Sequence, residues 1–305
     1  MKDHLAARAA CGAAMLIAAC LSGPPSAQAG LFSRHSAKAA AVPKDYIAEI
    51  QRAIDEQRLY DAGQLLDQAL LTGHDDPHLR LMGGRLALAR GRLDDALSDF
   101  KRVDQDPALK GDALEGEGIS LSLLGRSDEA VAVLRQAVAV KPSAWRAWNA
   151  LGSEYDSRRR WPESDAAYER ALSESDRAPI ALNNRGYSRM LQGRLEEAIK
   201  DFVEALGKKP GMAAARNNLR LAMAMSGEYD RALAGAPQTD EAATLNNAGF
   251  AAIMRGDYQA AEDLLQRAMS AKGEYYARAA TNLQLARTLE ARATAAPKPA
   301  AKQEP

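Results

Sequence analysis

The chain has 305 residues, enough for two ordinary domains or for one extended repeat array. Lysine plus arginine and aspartate plus glutamate both number 40, so no charge excess favours nucleic acid or an anionic membrane surface as a partner. Aromatic residues make up 5% of the chain, which argues against the base-stacking platforms of single-strand binders. Ala, Leu, Arg and Glu dominate and β-branched runs are rare, so the sequence predicts an all-α protein.

The N-terminal segment has the pattern of a secretion signal. A lysine and an arginine within the first eight residues precede a weakly apolar stretch, residues 9–21, that is too short to span a bilayer. Residues 17–20, Ile-Ala-Ala-Cys, look like a bacterial lipobox, which predicts a signal peptide over 1–19 and acylation of Cys20. Ala-Gln-Ala at 27–29 offers an ordinary signal-peptidase site instead, with the signal ending at 29. Both processing routes remain open at this stage.

The segments that flank the helical region are predicted to lack a core. Residues 20–42 are rich in Gly, Pro, Ser and Ala, which is typical of a flexible tether. Residues 294–305, TAAPKPAAKQEP, are predicted to form a disordered tail. The only cysteines are Cys11 and Cys20, so the mature chain has no disulfide framework and no thiolate metal site.

Residues 43–293 repeat with a regular period. Steps of 34 residues give units that begin at 43, 77, 111, 145, 179 and 213; the next step is only 29 residues, to Ala242, and a last helix begins near Ala277. Three positions of the unit hold similar residues in nearly every copy. Position eight holds Ile50, Gly84, Gly118, Gly152, Gly186, Arg220 and Gly249. Position fifteen holds Gln57, Gly91, Gly125, Arg159, Gly193, Gly227 and Gly256, and position twenty holds Ala62, Ala96, Ala130, Ser164, Ala198, Ala232 and Ala261.

The period predicts pairs of helices. Each unit has room for two helices of about a dozen residues joined at position fifteen, where glycine suits a helix-ending residue with positive φ. The small residues at positions eight and twenty allow the two helices to approach closely. The sixth unit has lost five residues after Ala232, and Gly235 and Pro237 are predicted to cut its second helix to about eight residues. No single pair can bury its apolar face, so the units are predicted to stack.

Specific residues of these units carry a family resemblance. Trp148-x2-Leu151-Gly152-x2-Tyr155, and Ala198-x3-Phe202 followed by Pro210, resemble the two halves of the tetratricopeptide-repeat (TPR) signature. The resemblance implies a TPR solenoid of about seven helix-turn-helix units over 43–293, closed by a C-terminal capping helix. It also implies a non-catalytic scaffold whose partners are proteins or peptide segments, with no cofactor.

The C-terminal units resemble a narrower group. ARNNLRLAMAMSGEYDRAL at 215–233, the short unit that follows, and YYARAATNLQLA at 275–286 are similar to the TPR lipoprotein of tight-adherence (Tad/Flp) pilus machinery. This resemblance implies an exported periplasmic protein, anchored by lipid to the outer membrane, whose partners include pilus secretion components such as a secretin. Two alternatives stay open: another envelope TPR adaptor, serving outer-membrane assembly or a different pilus, and a cytosolic regulatory adaptor.

The first helices of successive units predict a peptide-binding groove. Positions two, five, nine and twelve form a stripe separate from the inward-packing face. Position five holds amides, which can bond a peptide backbone in either direction, and the residues beside it are apolar. The predicted groove residues are Asn149, Asn183, Asn217, Asn246, Tyr187, Leu221, Phe250, Met190, Met225 and Met254. The alternative is that these residues only pack helices, as position-six asparagines (Asn184, Asn218, Asn247, Asn282) normally do in TPR proteins. Position five holds no Lys or Arg, so a basic carboxylate clamp is not supported.

Two charged clusters have ordinary explanations beside functional ones. Residues 74–78, His-Asp-Asp-Pro-His, could suggest a metal, but acidic residues before a proline are usual at a helix start. Residues 158–160, Arg-Arg-Arg, are expected in a solvated turn, with a docking patch for an acidic partner as the alternative. The sequence has no Ser/His/Asp, Cys/His or phosphate-loop arrangement, so no catalytic or metal site is predicted.

Overall fold

The computed structural model describes residues 45–71, 76–272 and 276–295. The predicted signal peptide, Cys20 and the tether lie outside these residues, as does the predicted tail from residue 296 onward. Every regular element in the described ranges is a helix, and no strand occurs there. None of these helices is both long enough and apolar enough to cross a membrane.

The chain divides into two compact units, one up to Asn184 and one from Arg185 onward. The described part of the first unit contains eight whole helices. These are α1 (Tyr46–Asp55), α2 (Leu59–Leu71), α3 (Pro77–Ala89), α4 (Leu93–Val103), α5 (Lys110–Leu123), α6 (Ser127–Val140), α7 (Trp145–Ser157) and α8 (Trp161–Glu174). They pack as the pairs α1–α2, α3–α4, α5–α6 and α7–α8, and the first helices of neighbouring pairs also touch. The unit is therefore a stack of helix pairs, as the period predicted.

The boundary between the units falls within α9 (Pro179–Leu191). The second unit continues with α10 (Leu195–Lys208), α11 (Ala213–Ser226), α12 (Tyr229–Leu233), a 3-10 turn (Gln238–Asp240), α13 (Glu241–Arg255), α14 (Tyr258–Lys272) and α15 (Ala277–Ala295). Neighbouring first helices touch here as well, as α11 with α13 and α13 with α15. The last helix, α15, extends two residues past the predicted boundary at 293.

The turns inside the repeats lie where position fifteen predicts them. Gly91 ends the first helix of its pair with φ of 73°, and all seven residues at this position have positive φ. Two of them are not glycine: Gln57 has φ of 60° and Arg159 has φ of 54°. A left-handed conformation costs a residue with a Cβ about 1–2 kcal/mol. The turn geometry is thus kept even where the sequence lacks its best residue.

The glycines at position eight receive a large side chain from the second helix of the same repeat. A Cβ added at Gly186 would lie 2.7 Å from Cε1 of Phe202, and one added at Gly118 would lie 2.6 Å from Leu134. Gly84, Gly152 and Gly249 meet Phe100, Tyr168 and Leu265 in the same way. All five large residues are buried. The small residue and the large one are therefore a matched pair, and the pair repeats through both units.

The sixth repeat departs from this pairing. Its second helix, α12, has only five residues, which is shorter than the eight predicted, because the chain turns at Gly235 (φ 64°) toward Pro237. Position eight of this repeat is Arg220 instead of glycine, and its Nη2 donates a hydrogen bond to the carbonyl of Gly235 at 2.8 Å.

Candidate protein-binding surface

In the first unit, the asparagines at positions five and six bond to one another. Nδ2 of Asn184 donates to Oδ1 of Asn149 at 3.2 Å, which joins α9 to α7. Nδ2 of Asn183 donates to Oδ1 of Asn184 at 3.2 Å, and Asn183 is 1% exposed. Asn149 is half-buried. Of these predicted groove residues, Asn149 is engaged in a contact between neighbouring first helices, and Asn183 is buried and bonded within α9.

In the second unit, the bond between a position-six and a position-five asparagine is made at one place and absent at another. Nδ2 of Asn282 donates to Oδ1 of Asn246 at 3.0 Å, which joins α15 to α13, and Asn246 is 2% exposed. The equivalent bond between Asn247 and Asn217 is not made, and within the described ranges the Asn217 side chain has no hydrogen-bond partner. Asn217 is exposed. Of the four position-five amides, Asn217 is the one left accessible to a ligand.

We expect the buried and exposed amides to differ sharply in their effect on stability. Asn246→Ala should lower the free energy of unfolding by about 0.5–1.5 kcal/mol, because it removes the hydrogen bond between the half-buried Asn282 and the buried amide of Asn246. Asn217→Ala should change it by less than about 0.5 kcal/mol, since an exposed amide without a partner is lost at little cost. Urea unfolding followed by circular dichroism measures both variants. Equal losses would contradict the distinction between these two asparagines.

The predicted apolar groove residues lie at different depths. Met190 is 4% exposed and belongs to a hydrophobic core with Phe202. Tyr187, Leu221 and Met225 are half-buried and pack against the same core. On α13, by contrast, two of them are open: Phe250 is 40% exposed and Met254 is 49% exposed.

A further apolar residue on α15 was missed in the sequence. Leu285 is 39% exposed and stands at position nine counted from Ala277, the same register position as Leu221 and Phe250. Extending the repeat numbering into the last helix would have found it. We call Phe250, Met254 and Leu285, the large exposed apolar side chains of α13 and α15, the apolar row. Exposed apolar side chains at corresponding positions are typical of interaction surfaces.

The corresponding face of the first unit is polar and internally paired. Nη2 of Arg85 on α3 contacts Oδ1 of Asp112 on α5 at 2.6 Å, and Nη1 donates to Oε1 of Gln51 on α1 at 2.5 Å. Nζ of Lys141 contacts the other oxygen of Asp112 at 2.7 Å. The network links three successive repeats. The repeat pattern does not specify this network, because its members lie in different repeats.

Position five of the third repeat carries a charge instead of an amide. Oε2 of Glu115 accepts a hydrogen bond from the backbone N–H of Ala147 at 3.2 Å, in the first turn of α7. Burial raises the pKa of the Glu115 carboxyl, and the nearby charges of Arg146 and Arg85 oppose that shift. The carboxylate acts as a cap for the next first helix, which is favourable at a helix N-terminus.

The two charged clusters take part in local contacts. Asp76 caps α3, because Oδ1 accepts a hydrogen bond from the backbone N–H of His78 at 2.9 Å. His74 and Asp75 lie outside the described residues. Arg158 contacts Asp128 at 2.9 Å, and Arg160 contacts Glu163 at 2.6 Å. Arg159 is exposed in the turn between α7 and α8. Most of the charge in residues 158–160 is thus paired within the first unit.

Comparison with known proteins identifies the repeats. Models of the family described as "Tetratricopeptide repeat" match residues 116–155 and 149–213, and a further model with that description matches residues 242–272. The repeats in these residues are tetratricopeptide repeats. Human tetratricopeptide repeat protein 13 is 29% identical over 157 residues, which is 50% of this chain but only 18% of that protein. The chain therefore spans less than a fifth of this TPR relative.

Two solved structures share the TPR fold. The crystal structure of the APC/C hetero-tetramer Cut9–Hcn1 matches with a TM-score of 0.58 and 19% identity, covering 79% of this chain and 48% of that chain. The structure of TTC0263, a thermophilic TPR protein from Thermus thermophilus, matches with a TM-score of 0.53 and 20% identity. That match covers 59% of this chain and 97% of TTC0263. TPR domains bind protein or peptide partners, and the fold is typically that of a non-catalytic scaffold.

Proposed function

We propose that this TPR protein is a non-catalytic scaffold of the bacterial cell envelope that binds protein partners during assembly of a Tad/Flp-type pilus secretion system. The observation that carries the binding role is the apolar row of the second unit. Phe250 and Met254 are exposed one helical turn apart on α13, and Leu285 is exposed on the adjacent α15 at the same repeat position as Phe250. Burying such surface against a partner would remove it from water, at roughly 25 cal/mol per Å² of apolar area.

The second unit suits this role better than the corresponding face of the first unit. A partner docking on the network around Arg85 would have to displace the ion pair that Arg85 makes with Asp112. When a partly buried ion pair is separated, each charge needs a new partner or water, and this costs free energy. No such displacement is needed at the apolar row.

The pilus assignment rests on the resemblance of residues 215–233 and 275–286 to the Tad/Flp lipoprotein. These segments contribute α11, α12 and the first half of α15; α11 packs against α13, which carries Phe250 and Met254, and α15 carries Leu285. The proposed envelope location rests on the lipobox-like residues that end at Cys20. Within the proposal, the acyl chain on Cys20 holds the protein at the outer membrane and the tether lets the repeats reach partners such as a secretin.

The proposal predicts the phenotype of variants in a strain that lacks this chain and carries a plasmid copy. Changing Phe250 and Met254 together to Ser should reduce surface pili by about tenfold or more, because central apolar anchors of an interface each contribute upwards of 1 kcal/mol. Cys20→Ser should move the protein from the membrane fraction to the soluble fraction. Counting pili by electron microscopy and immunoblotting the fractions measures both effects.

Val203→Ser is the matched control. Val203 is 52% exposed in the same unit but stands on α10, a second helix, and should support pilus numbers near those of the wild type. Normal pili in the strain without this chain would refute the pilus role. Pili that require the chain but tolerate the paired change at Phe250 and Met254 would refute the binding surface.

A further inference from the structure

The shortened sixth repeat contains a cleft of about 240 Å³ between α11 and α13. Its volume lies below the roughly 300–1,000 Å³ of small-molecule sites and is suited to a single large side chain. The apolar part of its lining comes from Leu221 and Ala224 on α11, Ala232 on α12 and Ala248 on α13. The cleft follows from the length of α12, which has five residues where α10 has fourteen and α14 has fifteen.

Two amides line the polar part of the cleft, and some of their hydrogen-bonding groups have no partner among the residues that the structure describes. Asn217 is exposed and has no hydrogen-bond partner within the described ranges. Asn247 is also exposed, and its Oδ1 accepts a bond from Asn246 at 3.4 Å. Within the described residues, Nδ2 of Asn247 donates no hydrogen bond. An amide pair of this kind can both donate to and accept from a polypeptide backbone.

The charges at the cleft favour an uncharged occupant. Arg220 and Asp240 both line it, so an occupant of either sign would meet a like charge as well as an opposite one. The Arg220 guanidinium is already bonded to the carbonyl of Gly235 at 2.8 Å, which reduces its capacity to bind an anion. A neutral side chain avoids the desolvation cost that a charged one would incur in such a cleft.

We propose that this cleft binds one large uncharged side chain, aromatic or leucine-like, of a partner polypeptide, while the amides of Asn217 and Asn247 bond the backbone on either side of it. The inference rests on the proposed protein-binding function but not on the pilus role. It identifies the repeat with the shortened second helix as the position at which a partner segment is anchored.

The test uses N-acetyl-tryptophan amide and N-acetyl-leucine amide as probes on the full chain. Each carries one apolar side chain between two peptide groups, which is the feature that the cleft should recognise. In 1H–15N spectra we expect the side-chain NH2 signals of Asn217 and Asn247 to shift, with half-saturation at about 0.1–1 mM for the tryptophan probe. N-acetyl-aspartate amide and N-acetyl-lysine amide should produce at most a tenth of that shift at the same concentration.

Ala243→Leu is the blocking variant. Ala243 is exposed and lines the cleft, so a larger side chain there fills the cleft without disturbing the core. The variant should melt within a few degrees of the wild type and lose the probe-induced shifts. Thr281→Leu on α15, also at an exposed site, should retain them. The proposal would be overturned if the tryptophan probe produced no shift at 20 mM, or if the charged probes produced shifts of about equal size. It would also be overturned if the shifts persisted in a folded Ala243→Leu variant. If the pilus role were refuted, probe binding would still be expected. The failure of the proposed function and the failure of the cleft proposal can therefore be distinguished.

Discussion

Asp201→Asn should lower the free energy of unfolding of the second unit by about 3–5 kcal/mol. Oδ1 of Asp201 lies 2.7 Å from Nη2 of Arg185, and Oδ2 lies 2.7 Å from Nη1 of Arg189. The side chains of Arg185, Asp201 and Arg189 are 6%, 3% and 14% exposed. Asparagine has nearly the same shape but no charge, so the buried Arg185 would lose the carboxylate of Asp201. Arg189 would lose it as well and keep the longer contact with Glu197 at 3.7 Å.

The distribution of tryptophan allows the two units to be followed separately. All three tryptophans, Trp145, Trp148 and Trp161, belong to the first unit, whereas helical circular dichroism reports both units. Asp201→Asn should therefore shift the circular dichroism transition in urea to lower denaturant more than it shifts the tryptophan fluorescence transition. The control is Asp263→Asn, whose exposed pair with Arg267 at 3.3 Å should contribute less than about 1 kcal/mol. A loss at Asp201 no larger than that of the control would contradict the expected role of this buried pair.

Gly186→Ala and Gly207→Ala should change stability in opposite directions. At Gly186 the new methyl group would lie 2.7 Å from Cε1 of Phe202 and 3.1 Å from Cβ of Asp201, so we expect a loss of about 1–3 kcal/mol. At Gly207, in α10, no atom lies within 4 Å of the new methyl group. Alanine is the better helix former there, and a gain of up to about 1 kcal/mol is expected.

Both variants can be compared by the midpoint of urea unfolding under identical conditions. The substitution is chemically the same at each site, so differences in side-chain entropy cancel. If Gly186→Ala stabilised the protein as much as Gly207→Ala does, the close approach of α9 and α10 at Phe202 could not be a constraint on the sequence.

The fold could be predicted from the sequence because its determinants recur at fixed positions. Gly186 faces Phe202 within one repeat, and the same spacing places Gly152 against Tyr168 in the repeat before. The turn at Arg159 was predicted from position alone, although arginine is a poor residue for positive φ. Each of these features depends on residues less than half a repeat apart, so one unit contains the information.

The candidate site could be predicted only in part. Asn183 and Asn217 occupy the same position of their repeats, yet Asn183 is 1% exposed and Asn217 is open to solvent. The difference depends on which neighbouring side chains contact each amide. The five-residue α12 changes the set of side chains around Asn217. The bond from Arg85 to Asp112 joins residues of different repeats, and a repeat pattern does not specify such contacts.

The parallel order of α11, α13 and α15 has an electrostatic consequence. Nη1 of Arg255 at the end of α13 donates to the carbonyl of Met225 at the end of α11, and the bond from Asn282 to Asn246 joins the early turns of α15 and α13. The three helix macrodipoles therefore point the same way, each equivalent to about half a charge of opposite sign at its two ends. The fifteen-residue α14 runs the opposite way beside α13 and offsets part of this alignment, whereas the five-residue α12 opposes it only weakly. The two rims of this helix layer consequently differ in potential although the formal charges of the chain balance. A segment lying along these helices is best oriented with its acidic end toward their N-termini.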